Sequence, residues 1–289
     1  MSVDILADSL HFGEGPRWHQ GKLWFSDFYD HAVKTVDLAG TVETMLSVAG
    51  QPSGLGWLPD GRLLVVSMTD RLLLRLEHDA LVVHADLSDL AAFHCNDMVV
   101  DAVGRAYVGN FGFDLHAAET SGDFAGALAN YEGATLARVD PDGSVHVAAE
   151  ALRFPNGTSI TPDGATMIIA ESLGRRLTAF DVARTGELSN RRVWAELGNY
   201  VPDGITLDAD GAVWLADASG PRCIRVREGG EVLEIVDTEQ PCYACMLGGP
   251  DGRTLFMVTA ASSHPSTAGV ERSGKILTMP VAVGHAGRP

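Results

Sequence analysis

Cysteine is scarce in this chain. Four residues (Cys95, Cys223, Cys242, Cys245) among 289 are too few to staple a chain of this length with disulfides. Basic residues are also short: lysine and arginine number 21 against 38 aspartates and glutamates, a formal charge of −17. No basic face is therefore expected for nucleic acid, and nothing in the balance favours an anionic membrane surface. No apolar run approaches the roughly 20 residues that a membrane-spanning helix needs. The opening MSVDILADSLHF carries two aspartates and no basic, apolar leader, so the expected location is cytoplasmic. A sustained 3.6-residue period is missing throughout, which leaves few helices to expect. Cys242 and Cys245 form a C-x-x-C, but no second pair completes a zinc site and the following MLGGPDG does not open a helix. All four cysteines are expected to be reduced and packed.

Glycine, in contrast, is abundant: 32 residues, about 11% against an average near 7%. Many of these glycines close turn tripeptides: His-Gln-Gly at 19–21, Pro-Asp-Gly at 59–61, Ala-Val-Gly at 102–104, Pro-Asp-Gly at 162–164, Ala-Asp-Gly at 209–211 and Pro-Asp-Gly at 250–252. Each precedes the same kind of strand: KLWFSD, RLLVVS, RAYVGN, ATMIIAE, AVWLAD and RTLFMVT. The turn glycines stand at 21, 61, 104, 164, 211 and 252, at intervals of 40, 43, 60, 47 and 41. Units of this length, uniformly β in pattern and separated by Asp-Gly hairpins, predict a β-propeller.

The expected fold is all-β: a six-bladed β-propeller of four-stranded blades, forming one domain over residues 1–289. The last unit ends after GKILTMPV without a fourth strand, while VDILADS at 3–9 precedes the first anchor loop. The N-terminal strand is therefore predicted to pair into the last blade and close the ring. The third unit gains about 20 residues between Asn110 and Gly133. It is expected as a long loop overhanging one face, and such loops are usually functional.

Innermost propeller strands begin beside the central axis. Counting eight residues back from each turn glycine gives Gly13 (or Glu14), Ser53, Asn96, Asn156, Asp203 and Ala244. Four carboxylate or carboxamide side chains at one level, with no His or Cys cluster, suit a hard divalent cation. Ordinary turn chemistry also uses Pro-Asn-Gly and Pro-Asp-Gly, so the pattern alone leaves both readings open.

The segments GEGPRW from Gly13, the Asn96–Asp97 pair with VDAVGRAYVG, FPNG at 154–157, TGELSNRRVW at 185–194 and VPDGITLDADGAVWLAD at 201–217 resemble the SMP-30/gluconolactonase/regucalcin family. The resemblance implies a six-bladed propeller that binds one divalent cation on its axis and hydrolyses sugar lactones. It implies Glu14, Asn156 and Asp203 as metal ligands, with Asn96 facing metal and substrate, and Asp203 as general base. Calcium ranks first among the expected cations, with Mg²⁺, Mn²⁺, Zn²⁺ and Fe²⁺ as alternatives.

Two positions depart from the family pattern. His94 stands where many sugar lactonases of this family carry an arginine, and Ala129 stands near an expected acidic substrate contact. Both departures weaken the case for a polyhydroxylated substrate. His94, Tyr131 and Phe113 are candidate substrate contacts, with Phe111 and Phe124 as further aromatics of the insertion. The expected activity is hydrolysis of a lactone, either a sugar lactone or a less polar one. The alternatives are an ester or phosphotriester hydrolase using the same metal, and a non-catalytic propeller binding calcium or a small ligand. Monomer and dimer are both compatible with the sequence.

Overall fold

The computed structural model describes residues 2–286. Its strands form six antiparallel four-stranded sheets, five of them in simple chain order: blade 1 over 13–47, blade 2 over 52–86, blade 3 over 95–152, blade 4 over 155–196 and blade 5 over 202–237. Blade 6 combines three strands between 242 and 280 with the N-terminal strand Asp4–Leu10. That strand pairs with Gly274–Pro280, from Asp4 opposite Thr278 to Leu10 opposite Gly274. The predicted closure is present, and the innermost strands of successive blades touch all the way round the ring.

The hairpin glycines carry the turns as their spacing predicted. All six marker glycines, 21, 61, 104, 164, 211 and 252, have φ between 72° and 94°, a region closed to most side chains but open to glycine. Burial then falls from the axis outward. The innermost strands Cys95–Val100, Pro155–Ile160 and Pro202–Leu207 are buried at every residue, because neighbouring blades cover both their faces. The outermost strand Val42–Ser47 is exposed at five of six positions.

Large apolar side chains fill the gaps between blades. Phe25, Tyr107, Trp214 and Phe256 are among the largest fully buried residues, and each lies on the second strand of its blade. Full burial of an aliphatic or phenyl side chain contributes about 1.5–3 kcal/mol, so this layer is a main source of stability.

The insertion departs from the expected loop. Residues 111–133 hold two short helices, α1 (Leu115–Ser121) and α2 (Phe124–Ala129). Asp114 caps α1 by accepting from Ala117 N, and Asp123 caps α2 by accepting from Gly126 N. Helices of seven and six residues are too short to imprint a clear 3.6 period, which is why the pattern did not reveal them. A third, α3 (Pro265–Ala268), lies in the loop before the last strand. No helix among the described residues is long and apolar enough to cross a membrane. The four cysteines are free and buried, as expected.

Candidate metal centre

The anchor residues of blades 2 to 5 owe their direction to a repeated irregularity in the sheets. In blades 2 to 5 the pairing between the innermost and second strands skips two residues, from Pro52 to Leu55, Cys95 to Met98, Pro155 to Thr158 and Pro202 to Ile205. A bulge releases residues from the ladder and re-aims their side chains. The first released residues are Ser53, Asn96, Asn156 and Asp203. In blade 1 the skip runs from Glu14 to Arg17, one position later in phase. Glu14, rather than Gly13, is the residue that reaches the cavity.

Glycines let these strands crowd the axis. A Cβ on Gly157 would stand 2.4 Å from Ile205 N and 2.6 Å from the Asp203 carbonyl oxygen, and one on Gly204 would stand 2.7 Å from Ala244 Cα. Blades 4, 5 and 6 therefore meet backbone to backbone at the level of the anchors. Glu14, Asn96, Asn156 and Asp203 are all buried and line one cavity of about 470 Å³. Ser53 is buried but does not line it; its hydroxyl lies 3.5 Å from Asn96 Oδ1.

Hydrogen bonds settle some of these groups and leave others open. Asn156 Nδ2 donates to Ser172 Oγ at 3.2 Å, and Ser172 Oγ donates to the Pro202 carbonyl at 2.7 Å. That relay engages the amide nitrogen, which also lies within reach of the Asp203 carboxylate, and Asn156 Oδ1 is the atom available to a cation. Glu14 Oε2 accepts from Gly15 N at 3.1 Å. Asp203 Oδ1 is buried with no hydrogen-bond partner. Among the described residues neither Glu14 nor Asp203 has a Lys, Arg or His partner, whereas neighbouring Asp97 is matched by Arg17 at 2.9 Å.

Two buried carboxylates without a cation are costly. Burial pushes the Glu14 carboxyl well above its ordinary range, reinforced by the charges of Asp203 and Asp97. Burial does the same to Asp203, with Asp97 adding to it. A divalent cation would match the two negative charges, satisfy the orphaned Asp203 oxygen and use the two carboxamide oxygens. The residues present therefore fit a hard cation, held by oxygen alone.

The cavity wall is of opposite character. Phe12, Phe28, Met68, Phe111, Phe154 and Tyr243 form one packed cluster along it. Burial pushes the Tyr243 hydroxyl up to about 12 and holds His94 below the ordinary histidine range. His94 lines the cavity while stacked on Phe93 at 4.0 Å. Among the described residues Arg175 is the single basic side chain besides histidines on this wall, and it is exposed.

Two candidate substrate contacts stand off the cavity. Tyr131 and Phe113 do not line the cavity; their rings pack on each other at 4.9 Å. The Tyr131 hydroxyl donates to the Leu152 carbonyl at 3.2 Å and accepts from Phe154 N at 3.0 Å. Its polar group is thus committed to the backbone and fastens the base of the insertion. Phe111 and Phe124 do reach the cavity. Tyr243 and Ser172 were not singled out from sequence. The one available signal was position: Tyr243 precedes the apolar anchor Ala244, and Ser172 follows the strand Thr166–Glu171.

Comparison with known proteins agrees with this architecture. The family model described as "SMP-30/Gluconolactonase/LRE-like region" matches residues 12–261. The chain belongs to that family. It is 26% identical to regucalcin of Xenopus laevis over 270 residues, covering 89% of this chain and 85% of that protein. It is 26% identical to the pentonolactonase XacC of Haloferax volcanii over 312 aligned positions, covering 100% of this chain and 97% of that protein. The solved structure of a calcium-binding protein, regucalcin, from Agrobacterium tumefaciens superposes with a TM-score of 0.80 at 21% identity, over 100% of this chain and 96% of that one. At that identity the likeness is one of fold.

Proposed function

We propose that this family member is a divalent-metal-dependent lactonase whose substrate carries an apolar substituent. The observation that carries the reading is the unpartnered, buried Asp203 Oδ1 beside an equally uncompensated Glu14, at an axis also lined by Asn96 and Asn156. The lactonase name of one relative and the calcium-binding description of a structural neighbour support it. Glu14, Asn156, Asp203 and Asn96 would hold the cation, with calcium the first choice for an all-oxygen set. Such a cation supplies Lewis acidity toward the ring carbonyl and acidifies a neighbouring water.

The protein's own groups do the rest. Asp203 takes a proton from water as that water's oxygen bonds to the carbonyl carbon. The ring carbon–oxygen bond then breaks, and the departing oxygen receives the proton that Asp203 had accepted, giving the hydroxy acid. The aromatic wall excludes bulk water and receives the substituent, while His94, held neutral, offers one hydrogen bond. A sugar lactone would leave its hydroxyls facing phenyl rings unpaired, at a cost of about 1–3 kcal/mol each. The cytoplasmic location is part of the same proposal, in keeping with four free, buried cysteines.

The test is ring opening followed by pH-stat across lactones that range from polyhydroxylated to alkyl- or aryl-substituted. The expected order places the apolar substrates highest in kcat/KM, and a preference for sugar lactones would refute that part of the reading. Asp203→Asn keeps an oxygen ligand but removes the base, so kcat is expected to fall about 10²–10⁴-fold. Undiminished turnover would remove Asp203 from the role.

A further inference from the structure

The cavity rim carries a second cluster that the axial centre does not involve. His116 and Glu119 project from α1, and His264 stands at the head of α3; one ligand atom from each lies within 4.8 Å of the others. His116 and Glu119 line the cavity, as do Ser263 and Pro265 on either side of His264. The insertion belongs to blade 3 and the 261–273 loop to blade 6, so the three side chains join two distant parts of the chain across the opening.

The geometry points to a transition-metal site of the zinc class, built from His116, Glu119 and His264, that clasps the helical insertion to the last blade. His116 Nδ1 and Glu119 Oε2 are 3.3 Å apart, which is the edge of a tetrahedron with metal–ligand bonds of about 2.0–2.1 Å. The two imidazole rings meet edge to face with centroids 5.3 Å apart, so a modest side-chain rotation brings the third ligand in. Spacing of i, i+3 puts His116 and Glu119 on one face of α1.

His264 is already oriented by its neighbours. Its Nδ1 accepts from Ser266 N at 3.2 Å and lies 2.8 Å from Ser266 Oγ, leaving Nε2 as the free nitrogen. A metal on Nε2 requires the proton on Nδ1, so binding would exchange the bond that Nδ1 accepts from Ser266 N for one that it donates to Ser266 Oγ, an outer partner of the kind that fixes ligating histidines. Two imidazoles and one carboxylate favour Zn²⁺ or Co²⁺ over Ca²⁺, the reverse of the all-oxygen axial set. The two centres are therefore distinguished by metal class. Three protein ligands would leave the fourth position of a tetrahedral site to water.

Zn²⁺ binding to chelator-stripped protein is measured by calorimetry in excess Ca²⁺, in wild type and in the double variant His116→Gln with His264→Asn. Asparagine retains a side-chain acceptor for the α3 cap, and circular dichroism confirms that the variant is folded. Wild type is expected to bind one equivalent of Zn²⁺ more than the variant, and Co²⁺ to give the intense visible band of a tetrahedral site in wild type alone. Backbone amide exchange over α1 and α3 is expected to slow on Zn²⁺ addition only in wild type. Equal stoichiometry and affinity in the two proteins would overturn the site and leave His116 and Glu119 as an exposed hydrogen-bonded pair. Absence of the Co²⁺ band from wild type would overturn it independently of how the variant folds.

Discussion

Asp203 and Glu14 are the residues at which folding and chemistry pull in opposite directions. Both have folded pKa values raised above the unfolded ones, by burial first and neighbouring acids second. Ionising them opposes folding, so the stability present below the ordinary carboxylate pKa is lost as pH rises through the raised folded values. In chelator, Asp203→Asn is expected to gain stability relative to wild type as pH rises from about 4 toward neutrality, measured by urea unfolding at a series of pH values. Saturating Ca²⁺ should narrow the gap by stabilising the wild-type folded state through binding. A difference that stays constant with pH would contradict the assigned burial cost.

At this scale the sequence was partly legible. Counting back from the turn glycines reached Asn96, Asn156 and Asp203 directly and left Glu14 one position ambiguous, because the blade 1 hairpin, which turns between His19 and Lys22, is shorter than the others. The aromatics of the insertion were not separable, since nothing in the string tells that Tyr131 spends its hydroxyl on the backbone while Phe111 and Phe124 face the cavity.

Among the elements, the bulged innermost strand followed by a close-approach glycine is the device that makes the centre. Acidic residues at the ends of second strands steady the chain just ahead of it: Asp27 accepts from Phe12 N at 2.9 Å, Glu171 from Arg153 N at 2.6 Å and Asp217 from Val201 N at 3.0 Å. Those clamps give part of the acidic excess a structural task that composition could not reveal. Gly157→Ala is expected to push the blade 4 and blade 5 strands apart, costing about 1–3 kcal/mol and weakening Ca²⁺ binding in the same variant. Thermal unfolding and calorimetry check both, and an unchanged Tm with unchanged affinity would show that the strands have slack. The repeating strands were legible because hairpin glycines and period-2 alternation are local signals. Helices α1 and α2 were not, because their stability comes from Asp114 and Asp123 caps and from docking on the propeller.

For the molecule as a whole, closure by the N-terminal strand decides whether six blades act as one ring. Leu10, the last residue of this strand, is 3% exposed and packs in a cluster shared by the last blade and the first. Leu10→Ala is expected to cost about 2–5 kcal/mol, read as a lowered denaturant midpoint. Deleting residues 2–10 uncovers the edge of the last strand and is expected to promote aggregation; a monomeric, fully stable deletion product would show that the ring holds without it. The ring was readable because blade count, interval and the missing fourth strand agree with one another. Apolar lining on one side of the cavity and the axial oxygens on the other became visible only when the blades were assembled.

The central claim is that the axial oxygens work through a bound cation. Elemental analysis and lactone ring opening are to be followed together on protein stripped by chelator and then titrated with Ca²⁺. Turnover is expected to vanish with the metal and return in proportion to cation bound per chain. Full activity in protein shown to contain no metal would contradict the account.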